Sequence, residues 1–531
     1  MPNKRRIKEP LILLLLITPL AVMAQLDDFS SNLPIVVIET GSQQIVDDPR
    51  IVVDMGIICN GENQVNRLTD PYNDYQGKIS IEYRGHTSQD FPKKSYGLET
   101  QFEDGTNRNV SLMGLPEEND WVLYAPYSDK TLIRNILAYR LSRELGHYAP
   151  RTRSCELILN GEYQGVYVLV EKIKRDGNRV DIATLNPDEV TGDDVTGGYI
   201  IKVDKQIGNS GPLWESSRGG IFFQYEYPKH DEIAYEQKAY IKTFIDALET
   251  ALVSDHFSDP WTGYRKYLDA GSAVDFFIVN ELARNLDAYF LSYFMYKVKE
   301  SEGGKLYMGP VWDFNLSFGN ADYRDAFKTE GFQLDRNPGI WWWYRLIQDP
   351  VFLDDIRNRW YSIRERQFSD DSILSVIDSL TVYLEEAQER NFTRWNILGW
   401  NIWPNYYVGD SYEDETGWMS AWILDRLHWM DGRMDGWTGI DMIPGVTDPG
   451  VFPNPFTTSF SCRIELFSPG DLSLVLYDMN GTPVHTLLEQ PGNQAGMYQV
   501  EWDASSLPPS MYVLIVRLNG EIVASKKVIK L

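Results

Sequence analysis

The sequence predicts a mixed α+β body followed by a small all-β C-terminal domain. Three observations carry that expectation. Up to residue 205 the apolar residues fall mostly in β-rich runs broken by Gly, Asp and Pro. From residue 232 to residue 440 amphipathic and Trp-rich helical patterns take over, interrupted by one aromatic hairpin. Beyond residue 445 short strands alternate with hairpin turns. With 531 residues the chain has room for about two to four domains. Its 43% apolar and 24% charged content makes it globular rather than disordered.

In chain order, residues 33–39 (LPIVVIE) and 51–58 (IVVDMGII) read as strands, and 78–83 (KISIEY) alternates as a half-buried strand does. A loop from Arg84 leads to Lys93 and Lys94, which open a strand with Tyr96 and Leu98 on one face. Such a lysine either presents a cation to phosphates or is a solvated basic residue. Residues 128–146 read as a helix capped by Ser128, with Leu132, Ile136, Leu137, Leu141 and Leu145 as its stripe and Gly146 as its stop. Arg134 and Asn135 lie off the stripe, free to face a cleft. Residues 153–159 and 165–171 form a hairpin about Asn160-Gly161. It ends on Glu171, either an ion-pair partner for a phosphate-binding lysine or a surface salt bridge. Residues 197–205 are a strand carrying Asp204, and 232–251 an amphipathic helix. Tryptophans 341–343 and 395–403 suit a ligand platform or, more commonly, a core. In the tail, strands at 472–477, 496–502, 511–518 and 522–530, with turns at Asn480-Gly481 and Asn519-Gly520, make a β-sandwich.

The formal charge of −26 argues against nucleic acid and anionic lipid as partners. Lys4, Arg5, Arg6 and Lys8, then an apolar run and Val22-Met23-Ala24, read as a signal peptide over residues 1–24. Its removal leaves a charge of about −29. No later stretch is a membrane span, so an exported chain is expected. Three cysteines (Cys59, Cys155 and Cys462) are too few for a disulfide framework, though a Cys59–Cys155 bridge remains open.

The candidate chemistry lies at residues 287–319. Residues 271–286 read as a helix with Ser272 as N-cap, running out at Asp287. Residues 289–298 (YFLSYFMYKV) and 305–312 then make a hairpin. If it centres near Glu302, Asp287 and Asp313 share its open end. Two carboxylates held close repel unless a cation or proton lies between them. That arrangement suits metal-assisted phosphoryl transfer, one carboxylate orienting the attacking group and the other holding the ion. In the plainer reading Asp287 caps a turn and Asp313 pairs with an arginine. No G-x-S-x-G, H-E-x-x-H, Walker A or H-R-D motif is present, and the six His suggest no zinc site.

Six ordered stretches, RGHTSQDFPKKSYGLE, DKTLIRNILAYRL, GEYQGVYVLVEKIKRD, GGYIIKVDK, the Asn285-Leu286-Asp287 end and GPVWDFNLSFG, together resemble the CotH kinase (spore coat protein H-like) family over residues 33–435. The resemblance implies an atypical protein-kinase-like, two-lobed domain over 25–445, with ATP and Mg²⁺ or Mn²⁺ between the lobes. It implies γ-phosphoryl transfer to Ser or Thr of a secreted or surface protein. Carried over by position, Lys93 would contact phosphates, with Arg84 and Lys94 also nucleotide-binding. Glu171 would pair with Lys93 or help hold the metal, Asp287 would be the catalytic aspartate, and Asp313, with Asn315, would bind the metal. The sequence departs from the family pattern at Asn315, where Asp is usual, at Ser292, where a metal-binding Asn would stand, and at His86. These leave open a catalytically inactive kinase-like surface or structural protein. A carbohydrate-binding protein or a two-carboxylate hydrolase also remains open. Within an immunoglobulin-like β-sandwich domain over 447–531, residues 453–531, with PNPF, LYDMNGTPV and a basic terminus, resemble the sorting domain of type IX secretion in Bacteroidetes; an ordinary immunoglobulin-like adhesion module is the plainer reading. The sorting resemblance implies contact with the secretion machinery and a destination at or beyond the cell surface.

Overall fold

The structure is a computed structural model. It describes residues 28–205, 211–218, 220–334, 341–437, 446, 449–466, 469–479, 481–494 and 496–531. The signal-peptide reading of residues 1–24 and Asn480 of one tail turn lie outside these. Helices and strands are mixed through the body, and the C-terminal region is all β. The chain divides into two compact units.

The first unit comprises residues up to 125 with 153–169 and 383–396. Its frame is a closed barrel of β1 (Ile35–Glu39), β2 (Ile51–Ile58), β3 (Tyr75–Arg84), β4 (Ser95–Gln101), β5 (Asp120–Tyr124), β6 (Thr152–Leu159) and β7 (Glu162–Glu171). The order is β6-β7-β5-β4-β3-β2-β1, and a parallel β1–β6 pairing, Ile35 opposite Glu156, closes it. Closure removes the open edges that a flat sheet would leave. The inward residues, among them Ile38, Met55, Ile79, Leu98, Leu123, Leu157 and Leu169, form one core. Cys59, Cys155 and Cys462 are all free thiols. Carried on by one residue, the β1–β2 and β1–β6 registers put Cys59 and Cys155 on opposite sides of Pro34. Two strand spacings, about 9–10 Å, separate them, more than a disulfide spans.

The second unit holds a five-stranded sheet: β8 (Tyr199–Val203), β9 (Trp214–Glu215), β10 (Phe222–Tyr227), β11 (Tyr293–Lys297) and β12 (Leu306–Met308), in the order β9-β10-β8-β11-β12. Around it lie α1 (Arg134–Glu144), α2 (Tyr235–Val253), α3 (Ala270–Ala283), α4 (Trp342–Leu346), α5 (Pro350–Arg364), the first half of α6 (Asp370–Arg394) and α7 (Tyr412–Met434). Trp342 and Trp343 are 0% exposed and Trp341 3%, and Trp343 packs on Phe276 and Tyr289. This tryptophan run is core, whereas Trp400 and Trp403 are exposed.

Two helices differ from their expected bounds for local reasons. α1 begins at Arg134 rather than Ser128, because Leu132 is left-handed at φ +63. The Asp129 carboxylate meanwhile takes the N–H groups of Thr131 and Arg134. α3 is capped by Asp269, whose Oδ1 accepts from the Ser272 N–H at 2.8 Å. Ser272 turns its hydroxyl inward instead, accepting from the Met308 N–H.

The tail contributes a three-stranded sheet, β13 (Gly450–Phe452), β14 (Ser459–Leu466) and β17 (Gly496–Asp503). A four-stranded sheet is built from β15 (Gly470–Tyr477), β16 (Pro483–Asn493), β18 (Ser510–Leu518) and β19 (Glu521–Lys530). Both sheets feed one core that includes Phe460, Ile464, Leu474, Leu514 and Val528. No helix among the described residues is long and apolar enough to cross a membrane.

Candidate active site

β11 and β12 pair with Met295 opposite Met308 and Lys297 opposite Leu306, which centres the hairpin between Ser301 and Glu302. Gly303 and Gly304, both at positive φ, make the turn. Asp287 precedes β11 by six residues and Asp313 follows β12 by five. α3 stops at Arg284, left-handed at φ +46, and a short turn follows in which Phe290 and Leu291 donate to the Asp287 carbonyl at 3.3 and 3.0 Å. Asp313 is itself left-handed, at φ +66. Ser292 Oγ lies 3.5 Å from Asp313 Oδ2.

α1 holds the 311–319 segment from behind. The Asp313 N–H donates to Tyr139 Oη at 3.2 Å and the Phe314 N–H to Asn135 Oδ1 at 2.7 Å. Arg134 Nε donates to the Ser317 carbonyl at 3.1 Å, and its guanidinium pairs with Asp129. Tyr139 stacks on Trp312 at 5.9 Å. Arg134 and Asn135 thus clamp the acidic segment in place of facing a cleft. Both are buried, because their partners lie inside the unit.

Burial raises the Asp287 carboxyl above its ordinary range; Lys205 and Arg324 pull it back and Asp204 pushes it further up. The Tyr323 hydroxyl feels the charge of both acids. It is pushed up to about 12 by burial, then by the charges of Asp287, Asp322 and Asp313 against Arg324. Asp204 follows β8, whose register with β11 (Val203 opposite Tyr293) carries it to a place opposite Ser292. Asn315 is half-buried, and its backbone carbonyl accepts from Asn320 Nδ2 at 2.7 Å. Among the described residues no three His, Cys, Asp or Glu lie close enough together to hold a metal ion by themselves.

The residues matched to nucleotide binding are placed differently. Lys93 is 2% exposed; its ammonium donates to the Val166 carbonyl at 2.6 Å and Asn391 Oδ1 at 2.8 Å, and lies 5.0 Å from the Tyr167 ring centroid. It is neither a solvated residue nor one open to solvent phosphates. Desolvation lowers its pKa to about 7. The ion pair of Glu171 is made with Arg151 at 2.7 Å, and the Arg151 N–H and Tyr148 hydroxyl complete it. Its side chain is 0% exposed, so this is an internal bridge in place of a surface one. Arg84 ends β3 opposite Ser95, half-buried. Lys94, also half-buried, donates to the Gln89 carbonyl. Between them Gly85, at φ +102, turns so tightly that a Cβ there would meet Ser88 Oγ.

Sequence reading passed over Tyr323 and Arg324, which sit in no motif, and Lys205. The one signal for Lys205 was its position at the end of a strand.

Residues 81–430 match the profile of the family described as CotH kinase protein, and residues 450–530 that of a secretion-system C-terminal sorting domain. The inner spore coat protein H of Bacillus subtilis (strain 168) is 33% identical over 95 residues, which are 18% of this chain and 24% of that protein. The match therefore spans about a quarter of this curated relative. A solved Pseudomonas fluorescens alkylpurine DNA glycosylase AlkC, bound to DNA containing an abasic site analogue, is 14% identical over 37% of this chain and 53% of that one. Its TM-score of 0.13 is too low to bear on fold or chemistry.

Proposed function

Because the chain belongs to the CotH kinase protein family and carries a C-terminal sorting domain, we propose that it is an exported atypical protein kinase. On this reading it has a kinase-like fold over 25–445 and moves the γ-phosphoryl of ATP to a Ser or Thr hydroxyl of a secreted or surface protein. The observation that supports it most is at the open end of one hairpin, where Ser292, just past the turn that closes on the Asp287 carbonyl, brings its Oγ to 3.5 Å from Asp313 Oδ2.

Asp287 accepts the acceptor hydroxyl's proton as the new O–P bond forms and the bond to the β-phosphate oxygen breaks, releasing ADP. Asp313 and Asn315 are the metal-holding groups. Their oxygen donors suit Mg²⁺ or Mn²⁺, and Mg²⁺ takes one or two carboxylates and fills the rest of its shell from phosphates and water, so no all-protein cage is required. A bound ion there would neutralise phosphate charge. α1 keeps Asp313 aimed through Tyr139 and Asn135. Arg84 and Lys94 supply positive charge for the nucleotide, while Lys93 and Glu171 act through the backbone and side chains they fix. The tail, residues 447–531, addresses the chain to the type IX machinery after a signal peptide over 1–24, and the destination is the cell surface or beyond.

The test is labelling by γ-labelled ATP with Mg²⁺ or Mn²⁺, using the secreted chain and its own surface proteins as acceptors. Asp287→Asn and Asp313→Asn should each abolish labelling with circular dichroism unchanged. A wild-type chain that transfers no label and shows no nucleotide-dependent thermal shift is instead a catalytically inactive kinase-like surface or structural protein. Deleting residues 447–531 should strand the chain in the periplasm; normal surface display without them would overturn the sorting assignment.

A further inference from the structure

Two cations stand beside Asp287, and neither makes an ion pair with another described residue. Arg324 is exposed. Its guanidinium lies over the Phe290 ring, 5.3 Å from the centroid, and the Phe290 N–H closes back onto the Asp287 carbonyl. The arginine is thereby seated on the very turn that carries the candidate base. Its neighbour Asp325, the nearest carboxylate in sequence on that side, pairs with Lys328 at 3.1 Å. Arg324 and Asp325 are both left-handed, at φ +51 and +57, a conformation two successive L-residues adopt only when the surroundings impose it. Those surroundings are present: the Asp322 N–H donates to the Pro404 carbonyl, and Tyr323 stacks on Trp403 with ring planes 5° apart. Lys205, also exposed, comes from the other side. The β8–β11 register carried past Val203 sets it opposite Leu291, four residues beyond Asp287.

We propose, resting on the kinase reading above, that Arg324, with Lys205 approaching from the other side, holds the oxygens of the phosphoryl group in flight. The chemistry requires the reacting phosphorus to lie next to the group that takes the hydroxyl proton. A cation serving the phosphoryl must therefore flank the base. The transition state spreads charge over three equatorial oxygens, and a planar guanidinium fork matches two of them at once. No bond to Arg324 forms: the acceptor oxygen–phosphorus bond is made, the bond to ADP breaks, and the proton goes to Asp287.

The experiment is titration calorimetry of the whole secreted chain with ATP and separately with ADP, in Mn²⁺, alongside kcat and KM. Arg324→Gln should lower kcat by about 100-fold or more and erase the preference for ATP over ADP, with ADP affinity and melting temperature unchanged. Arg324→Lys should recover part of both losses. Phe290→Leu, which unseats the guanidinium without removing it, should move both in the same direction by less. If Arg324→Gln keeps kcat within about twofold and keeps the ATP preference, the phosphoryl role is overturned and the kinase reading stands. If the wild type binds neither nucleotide, the kinase reading fails and takes this inference with it.

Discussion

Replacing Lys93 by Met separates a lysine that serves the barrel from one that serves a nucleotide. Lys93 is 2% exposed and its pKa falls from 10.5 to about 7, with desolvation as the main cause. Between about pH 7 and 10.5 the unfolded chain therefore binds a proton that the folded barrel does not. Stability rises with pH across that window, and the full penalty of burying the ammonium applies below it. A shift of that size corresponds to about 5 kcal/mol at about 1.4 kcal/mol per pH unit. The carbonyl of Val166, the amide of Asn391 and the face of Tyr167 are what keep the side chain seated in either charge state. With the fall to about 7, barrel stability in the wild type should gain about 4 kcal/mol from pH 6 to pH 10, and Lys93→Met should not share this gain. Native-state hydrogen exchange on the core amides of β3, β4 and β7 reads the barrel's own opening free energy without assuming two-state unfolding of the whole chain. Parallel pH profiles for wild type and variant would refute the argument. So would a loss of nucleotide affinity in Lys93→Met with no change in barrel protection.

Three further outcomes follow from the same geometry. Asp287 has a raised folded pKa, so its acid form adds stability below the unfolded value, and that stability is lost as pH rises through the folded one. Asp287→Asn should accordingly melt higher than wild type at pH 7 and lose the advantage in acid, while transfer drops by about 100-fold or more. The acid limb of the wild-type rate profile should lie above the ordinary aspartate range. Asn315→Asp restores a second carboxylate beside Asp313 and should tighten Mn²⁺ binding by about tenfold in a calorimetric titration; unchanged affinity would place Asn315 outside the metal shell. Native maleimide labelling should modify half-buried Cys59 but not Cys155, which burial makes both inaccessible and less acidic. A disulfide-linked peptide containing both would contradict the barrel register.

The parts of the fold that could be read from sequence are those set by local periodicity. The 293–308 hairpin and the strands of the barrel and the tail come from continuous or alternating apolar runs bounded by turn residues, and those signals are local. What escaped depends on long separations or on backbone states with no residue signature. The clamp on Phe314 spans 179 residues, and the acceptor for Lys93 lies 298 residues away on α6. The over-long α1 shows the second failure: Leu132 fits the apolar stripe, but Asp129 captures the N–H groups that a helical turn would have needed. The tryptophans divide by the same logic. Composition cannot separate Trp342, enclosed beneath the sheet, from Trp403, exposed beside Tyr323.

Among the described residues, non-glycine positive φ angles crowd into one stretch of chain: Arg284, Tyr289, Ser292, Asp313, Phe318, Arg324 and Asp325. Each costs about 1–2 kcal/mol relative to an ordinary backbone, and a glycine would relieve it. The chain does use glycine where only a turn is needed, at Gly303 and Gly304. At four of the seven positions the side chain does something glycine could not: Ser292 and Asp313 reach each other, Tyr289 donates to Glu281, and Arg324 covers Phe290. The strain is held in place by a core that leaves it no exit, with Phe276, Phe277 and Trp343 packed around Tyr289 and with Glu281 and Arg426 locked together at 0% exposure. Where the backbone is held in a disfavoured state at Tyr289, Ser292 and Arg324, the contact made by the side chain, not the stability of the backbone, is what the strain accompanies.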